Sequence, residues 1–292
     1  MTKKIILLVF MIALQSYGQF KPFSFFNTGN VLSPDAIQYK RLIDSVGGSI
    51  TTGDLLAFST FTKDIISIRN KIIRFNPFGG NTLTTALVPA IRGTGIGIFY
   101  GSALDINVNF IVGNFSRSSG LGDPSNTTKY LKTGVIPTTT SATLNSTGLG
   151  FWGLTNRSAA SLIALGCNDA GNTNRIYVDL RFSSDNYGVA VNCGGTPAVG
   201  TSSSTVGLFY FSRTTSTLTT VYYNGNSATT SSTVSSAIPA TEFYVFCKNN
   251  NGTPTSFETI NSSGYIITTG LTTSEQLILY NAWNKLKAAW GR

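Results

Sequence analysis

The chain has 292 residues, 41% of them hydrophobic, with 21 lysines and arginines against 12 acids and no histidine, for a net charge of +9. The missing histidine closes the Ser-His-Asp and Cys-His routes to catalysis and removes the commonest metal ligand. The basic balance permits acidic partners, but the cations are scattered rather than clustered, which argues against nucleic acid.

The first residues place Lys3 and Lys4 ahead of an apolar run from Ile5 to Leu14, followed by Ser16 and Gly18. This layout predicts a signal peptide over 1–18, cleaved after Gly18, with a mature start at Gln19. The apolar core is too short to span a bilayer, and no second stretch is long enough to do so, so the expected location is periplasmic or extracellular, including the cell surface. The segment, ending in SYGQ, resembles signal peptides of Bacteroidetes. Removing Lys3 and Lys4 leaves a net charge of +7.

A helical N-terminal segment is expected over 19–75. Its first helix has Ser33 as N-cap, Pro34 at the first helical position and Gly47-Gly48 as the stop. A second helix starts near Thr51, and Phe58, Phe61, Ile65, Ile68 and Ile72 recur at spacings of three and four on one apolar stripe. From residue 76 onward Thr, Ser, Gly and Asn dominate, and short apolar runs recur every ten residues or so, as in a sandwich or barrel.

Alternation is strictest in NRIYVDLRF, 174–182: Ile176, Val178, Leu180 and Phe182 share one face, and Tyr177, Asp179 and Arg181 the other. Further strands are expected at 148–154, 206–213, 217–223 and 242–248, separated by the turns GDPSN, GNTN, CGGTP and NNNGTP. Asn224-Gly225 is a two-residue hairpin signal. RGTGIGIF, 92–99, lacks the strand-turn-helix context of a phosphate loop and reads as a glycine-rich strand or bend. The chain closes with a helix over 272–290, capped by Thr272 and Glu275, with Leu279, Trp283, Leu286 and Trp290 on one stripe. Lys285, Lys287 and Arg292 sit where a helix C-terminus favours cations.

Chemistry is sparse. The acids are nine Asp and three Glu, and no strand carries the alternating acids of a glucanase; Asp179 and Asp185 come nearest to a pair, so no catalytic residue is assigned. GDPSN, 122–126, and NDAGNTN, 168–174, have the oxygen-rich composition of calcium loops, and turn chemistry accounts for the same residues. No metal site or other cofactor is assigned. Cys167, Cys193 and Cys247 are an odd set for an exported chain: one disulfide, Cys167 with Cys193, is one reading, and three buried small apolar residues the other. Trp152, Tyr177, Asp179, Arg181 and Tyr187 would form a sugar-binding patch if strands 148–154 and 175–182 were neighbours; otherwise Trp152 lies inward and the polar row faces water.

VGLFYFSRTTSTLTTVYYNGNSATTSS resembles the hairpin of concanavalin A-like, laminin G-like jelly rolls. KYLKTGVIPT, 129–138, is similar to an early strand of such domains, and GLTTSEQLILYNAWNKL to their closing helix. IDSVGGSITTGDLLAFSTFTKDI, followed by NPFGGNT, is similar to a helical prelude of uncharacterised phage, prophage and bacterial proteins. The resemblance implies a mainly β, antiparallel two-sheet jelly-roll sandwich over 76–292. By analogy of fold it implies a non-catalytic protein binding carbohydrate or a cell-surface ligand. A phage structural or decoration protein and a glucanase-like glycoside hydrolase are the alternatives.

Overall fold

The computed structural model describes residues 31–95, 97–194 and 198–292. The signal peptide expected over 1–18 and the end of the CGGTP turn lie outside the described residues. Leu32–Arg292 form one compact unit, so the helical stretch and the sandwich are parts of a single body.

Two helices open it. Helix α1 (Pro34–Ser45) starts at Ser33, whose side chain accepts from the Ala36 N–H, and α2 (Thr52–Asp64) starts at Thr51, which accepts from the Asp54 N–H. Each hydroxyl satisfies one of the donors a helix start leaves free. The apolar stripe outlasts the second helix: a 3-10 turn, Ile66–Lys71, follows it, and Ile72 begins strand β1 (Ile72–Asn76). The stripe holds because all five of its residues are buried, whichever local geometry carries them.

One sheet, here sheet A, runs β13 (Asn226–Ser231), β12 (Leu218–Tyr223), β11 (Gly207–Thr215), β6 (Thr147–Gly153), β17 (Asn261–Thr268), β4 (Gly120–Gly122) and β3 (Phe115–Ser116), with β1 also paired to β17. Sheet B runs β10 (Ala198–Thr201), β9 (Asn186–Cys193), β8 (Arg175–Ser183), β7 (Ile163–Asn168), β14 (Tyr244–Val245), β5 (Tyr130–Lys132) and β2 (Ile106–Val108). The hairpin of β15 (Lys248–Asn250) and β16 (Thr253–Thr255) joins sheet B through β7. That β15–β7 pairing is parallel and the other strand pairings are antiparallel.

Alternation gives each sheet two faces. Leu149 and Phe151, Phe209 and Phe211, and Tyr265 and Ile267 of sheet A meet Ile176, Val178, Leu180, Val189 and Val191 of sheet B in the core between them. Trp152, Leu208, Tyr210, Tyr222 and Ile266 point the other way and form a second core with α1, α2 and the closing helix α4 (Thr273–Ala289). A short helix α3 (Leu83–Ala86) lies between β1 and β2 in the chain. The layers are therefore helices, sheet A, sheet B, and the mainly β antiparallel architecture is as expected. Helix α4 carries the capping box of Thr272 with Glu275 and buries Leu279, Trp283, Leu286 and Trp290. Trp283 sits edge-on to Phe75, centroids 4.9 Å apart.

Asn224 (φ 49°) and Gly225 (φ 82°) make the left-handed turn between β12 and β13. A Cβ at Gly225 would come 2.6 Å from the Tyr280 ring of α4, so the turn tip abuts the helix. The run 242–248, by contrast, is not one strand: β14 stops at Val245, Phe246 takes φ 65°, and the chain reverses into β15. RGTGIGIF forms no strand in its described residues.

A polar knot is sealed in this body. Arg74 of β1 is fully buried and donates through Nη2 to Asp105 Oδ1 at 2.6 Å, through Nε to the Tyr265 hydroxyl at 2.9 Å, and through Nη1 to the carbonyls of Tyr100 and Ser102 at 3.1 Å. Asn76 donates to Asp105 Oδ2 at 2.7 Å.

The proposed Cys167–Cys193 disulfide is not formed: all three cysteines are free and buried. Cys167 and Cys193 belong to different side-chain clusters, on β7 and β9, with β8 between their strands. Thiol titration of the unfolded chain without reductant should therefore find three thiols; finding one would restore the disulfide. Arg74→Met should cost about 3–5 kcal/mol in urea unfolding, because Asp105 is left charged and buried, and adding Asp105→Asn should recover part of it. A loss under about 1 kcal/mol would show that the knot is not under load.

Candidate binding surface

The five residues expected to form one patch are divided by the sandwich. Trp152 lies on β6, which pairs with β11 and β17 and never with β8. It faces the helices at 3% exposure, stacked on Tyr280 with centroids 5.8 Å apart and planes 6° apart, with Trp283 edge-on at 5.3 Å. Tyr187 points into the core between the sheets, 5.1 Å from Phe209. Tyr177, Asp179 and Arg181 do share the outer face of sheet B, as alternation predicts, but all three are buried. Arg181 is spent on the turn beyond its strand, donating to Ser184 and Ser203 carbonyls at 2.7 Å and to Asp185 Oδ1 at 3.0 Å.

Asp179 has a different partner from the one its spacing suggests. Its Oδ1 accepts from the Arg181 N–H at 2.9 Å and from Arg157 Nη2 at 3.2 Å, while Arg157 Nε lies 2.6 Å from Glu258 Oε1. Arg157 Nη2 also donates to the Leu162 carbonyl at 3.0 Å and to Glu258 Oε2 at 3.1 Å. One guanidinium thus serves two buried carboxylates. Burial pushes the Asp179 carboxyl up to about 6 and the Glu258 carboxyl up to about 7, with the Arg157 charge opposing both. Asp179 Oδ2 is buried without a hydrogen-bond partner, which adds to the cost of ionising this carboxyl. The trio ties the loops carrying Arg157 and Glu258 to β8.

Toward the other end of this face the registers align a second constellation. Ile106 of β2 stands opposite Lys132 of β5, Lys132 opposite Tyr244 of β14, and Tyr244 opposite Gly166 of β7. Tyr244 and Tyr130 lie 4.9 Å apart between centroids, and Phe257 lies 6.2 Å from Tyr130. Lys132 Nζ is 5.8 Å above the Tyr244 ring, a cation–π distance. Among the described residues no carboxylate lies within ion-pair distance of Lys132. Glu242 accepts from the Gly134 N–H at 2.8 Å. Burial raises the Tyr130 and Tyr244 phenols, the latter to about 12, with Glu242 adding a smaller push. The tyrosines are 8% and 3% exposed, with their ring planes 39° apart.

Tyr130, Lys132 and Tyr244 alternate with the core residues Leu131 and Val245, and that period-two signal was present in the sequence. Arg157 and Glu258 come from irregular segments, where no periodicity marks them. At the two oxygen-rich turns the carboxylates are engaged by protein donors. Asp123 takes the Ser125 N–H at 2.8 Å and Lys129 at 2.8 Å, and Asp169 takes the Ala240 N–H and Asn174 Nδ2, each at 3.0 Å. Among the described residues there is no group of three His, Cys, Asp or Glu side chains able to hold a metal ion, and no helix is long and apolar enough to cross a membrane.

No family model and no curated protein matches the chain. Among solved structures it is similar to the IT-sialidase CBM40 of Ruminococcus gnavus, at 13% identity and a TM-score of 0.37 over 46% of this chain and 82% of that one. It is also similar to domain 4 of AbnA, a GH43 extracellular arabinanase from Geobacillus stearothermophilus solved with arabinotriose. There the identity is 12% and the TM-score 0.43, over 72% of this chain and 98% of that one. Values this low do not transfer a site or a ligand.

Because the folded state holds Asp179 and Glu258 protonated to higher pH than the unfolded chain does, their contribution favours folding below about pH 4 and is lost as pH rises through 6 to 7. Between pH 5 and 8 this pair should cost about 4 kcal/mol, roughly 10 °C in the melting midpoint. Glu258→Gln, which leaves Arg157 one carboxylate, should at least halve that decline. An identical slope in the variant would show that Glu258 does not titrate in this range.

Proposed function

We propose that this is an exported, non-catalytic protein that binds carbohydrate on the outer face of sheet B, at Tyr130, Lys132, Glu242 and Tyr244. The observation that carries the reading is the pairing of two adjacent tyrosines with an uncompensated ammonium and a carboxylate, on the sheet face opposite the helical layer. Sugar rings offer apolar C–H faces and a rim of hydroxyls. In this reading the exposed edges of Tyr130 and Tyr244 take the former, and Lys132 and Glu242 the latter.

The non-catalytic part of the reading is supported by the enclosure of Asp179 and Glu258. Glycoside hydrolysis needs two carboxyls facing each other across a bond that substrate can reach. Here both are closed off and bound to the same arginine. Export is supported by the leader-like start of the chain.

The test is a glycan array probed with the protein, followed by calorimetry on the best ligand with Lys132→Ala and Glu242→Gln. Each variant should weaken binding at least about tenfold, or about 1.4 kcal/mol, with an unchanged melting curve. Absence of any glycan ligand, or full-strength binding by both variants, would reject the reading.

A further inference from the structure

Among the described residues four arginines are buried: Arg74, Arg157, Arg181 and Arg213. Three of them hold carboxylates, Arg74 through Asp105, Arg157 through Asp179 and Glu258, and Arg181 through Asp185. Arg213, 1% exposed, holds none. All twelve acids of the chain fall among the described residues, and ten of them pair with other cations. The other two, Asp169 and Glu242, accept from Ala240 and Asn174 and from Gly134. The Arg213 guanidinium is held by main-chain carbonyls instead: Nε donates to Val191 at 3.0 Å, Nη1 to Ser216 at 2.8 Å and Nη2 to Thr233 at 2.9 Å. Carbonyls orient the group but do not cancel its charge, and an uncancelled buried charge is costly. Burial accordingly works against the protonated form, opposed by the nearby Cys193 sulfur.

Strand alternation puts the charge there. Phe209 and Phe211 of β11 point into the core between the sheets, and Arg213, two residues on, points the same way. In the ladder it stands opposite Thr219 of β12, whose Oγ1 is buried with no hydrogen-bond partner. Arg213 and Thr219 line a cavity of about 10 Å³, walled from sheet B by Val189, Val191 and Ala198. That is room for one water-sized occupant. The place is the β10 end of sheet B, away from Lys132 on β5.

Each feature narrows the occupant. A guanidinium and a hydroxyl without a partner both offer hydrogens, which selects an acceptor, and the uncancelled charge selects a negative one. The size excludes sulfate, phosphate and organic acids. Aliphatic walls favour a single charge, because desolvation penalises multiply charged ions most.

We propose that this cavity binds one small monovalent anion of the halide class, chloride in ordinary salt, between the Arg213 guanidinium and the Thr219 hydroxyl. The anion supplies to Arg213 the counter-charge that carboxylates supply to the other three buried arginines.

The full chain is melted in sodium methanesulfonate, whose anion is too large for the cavity, and in mixtures that replace it by chloride at constant ionic strength, so that screening is unchanged. The midpoint should rise with chloride and level off, as binding to one site of the folded state requires. Thr219→Val keeps the shape and removes the donor, and should need at least tenfold more chloride for the same rise. A crystal soaked in sodium bromide should show an anomalous peak within hydrogen-bonding distance of Arg213 and Thr219 Oγ1; this needs no variant, so it decides even if Thr219→Val does not fold. The proposal is overturned if chloride leaves the midpoint unchanged, or if Thr219→Val responds as the parent chain does. It is overturned too if no bromide peak stands in the cavity, which would assign the space to water. Thiolate absorbance at neutral pH that disappears in Cys193→Ser would also overturn it, making Cys193 the counter-charge.

Discussion

Burying Arg74 without exposure to water is tolerable only because each part of its guanidinium has a partner, and that requirement organises the molecule around it. The partners come from four places: Asp105, the carbonyls of Tyr100 and Ser102, and the hydroxyl of Tyr265 on β17. An unpaired charge in such a site would cost several kcal/mol, whereas a well-packed apolar set would cost little. The knot is therefore better understood as specifying position than as adding stability. It fixes the segment leading into β2 against the strand pair β1–β17, and through that segment it sets where sheet B ends.

The three-layer order decides which sheet face is left uncovered. Helices α1, α2 and α4 absorb the outer face of sheet A, drawing Trp152, Tyr210 and Tyr222 into a second core. The most conspicuous aromatic residues of the chain, its tryptophans, are consumed by that layer: Trp152, Trp283 and Trp290 are all buried. What the helices leave uncovered is the far side of sheet B. There Tyr130 and Tyr244 are largely buried, and the Lys132 ammonium lies over the Tyr244 ring.

The caps and the turn were legible because they are local. Ser33, Thr51 and Thr272 each accept from the N–H three residues on, and Asn224-Gly225 takes the left-handed conformations a two-residue hairpin requires. Faces were legible as well, since Ile176, Val178 and Leu180 went inward and Tyr177, Asp179 and Arg181 outward. Coverage was not. Alternation tells which side of a sheet a residue takes and is silent on what lies over it, so the polar row of β8 looked wet while Arg157 and Glu258 enclosed part of it. The break at Phe246 was hidden for a related reason: an uninterrupted aromatic run reads as extended, and nothing in it announces a non-glycine residue at positive φ.

Strand β1 lies near the start of the described chain and β17 near its end, yet they are adjacent, and Arg74 and Tyr265, 191 positions apart, are hydrogen-bonded. The middle of sheet A is thus completed by a strand that comes long after β1 in the chain. Until β17 is present, β6 lacks one of its two neighbours and the apolar underside of the helices has an incomplete floor. Loop closure over such a span is slow, and a partly emerged chain must hold this greasy surface open while it waits. A protein so wired is committed to acquiring its shape after synthesis of that strand rather than during it.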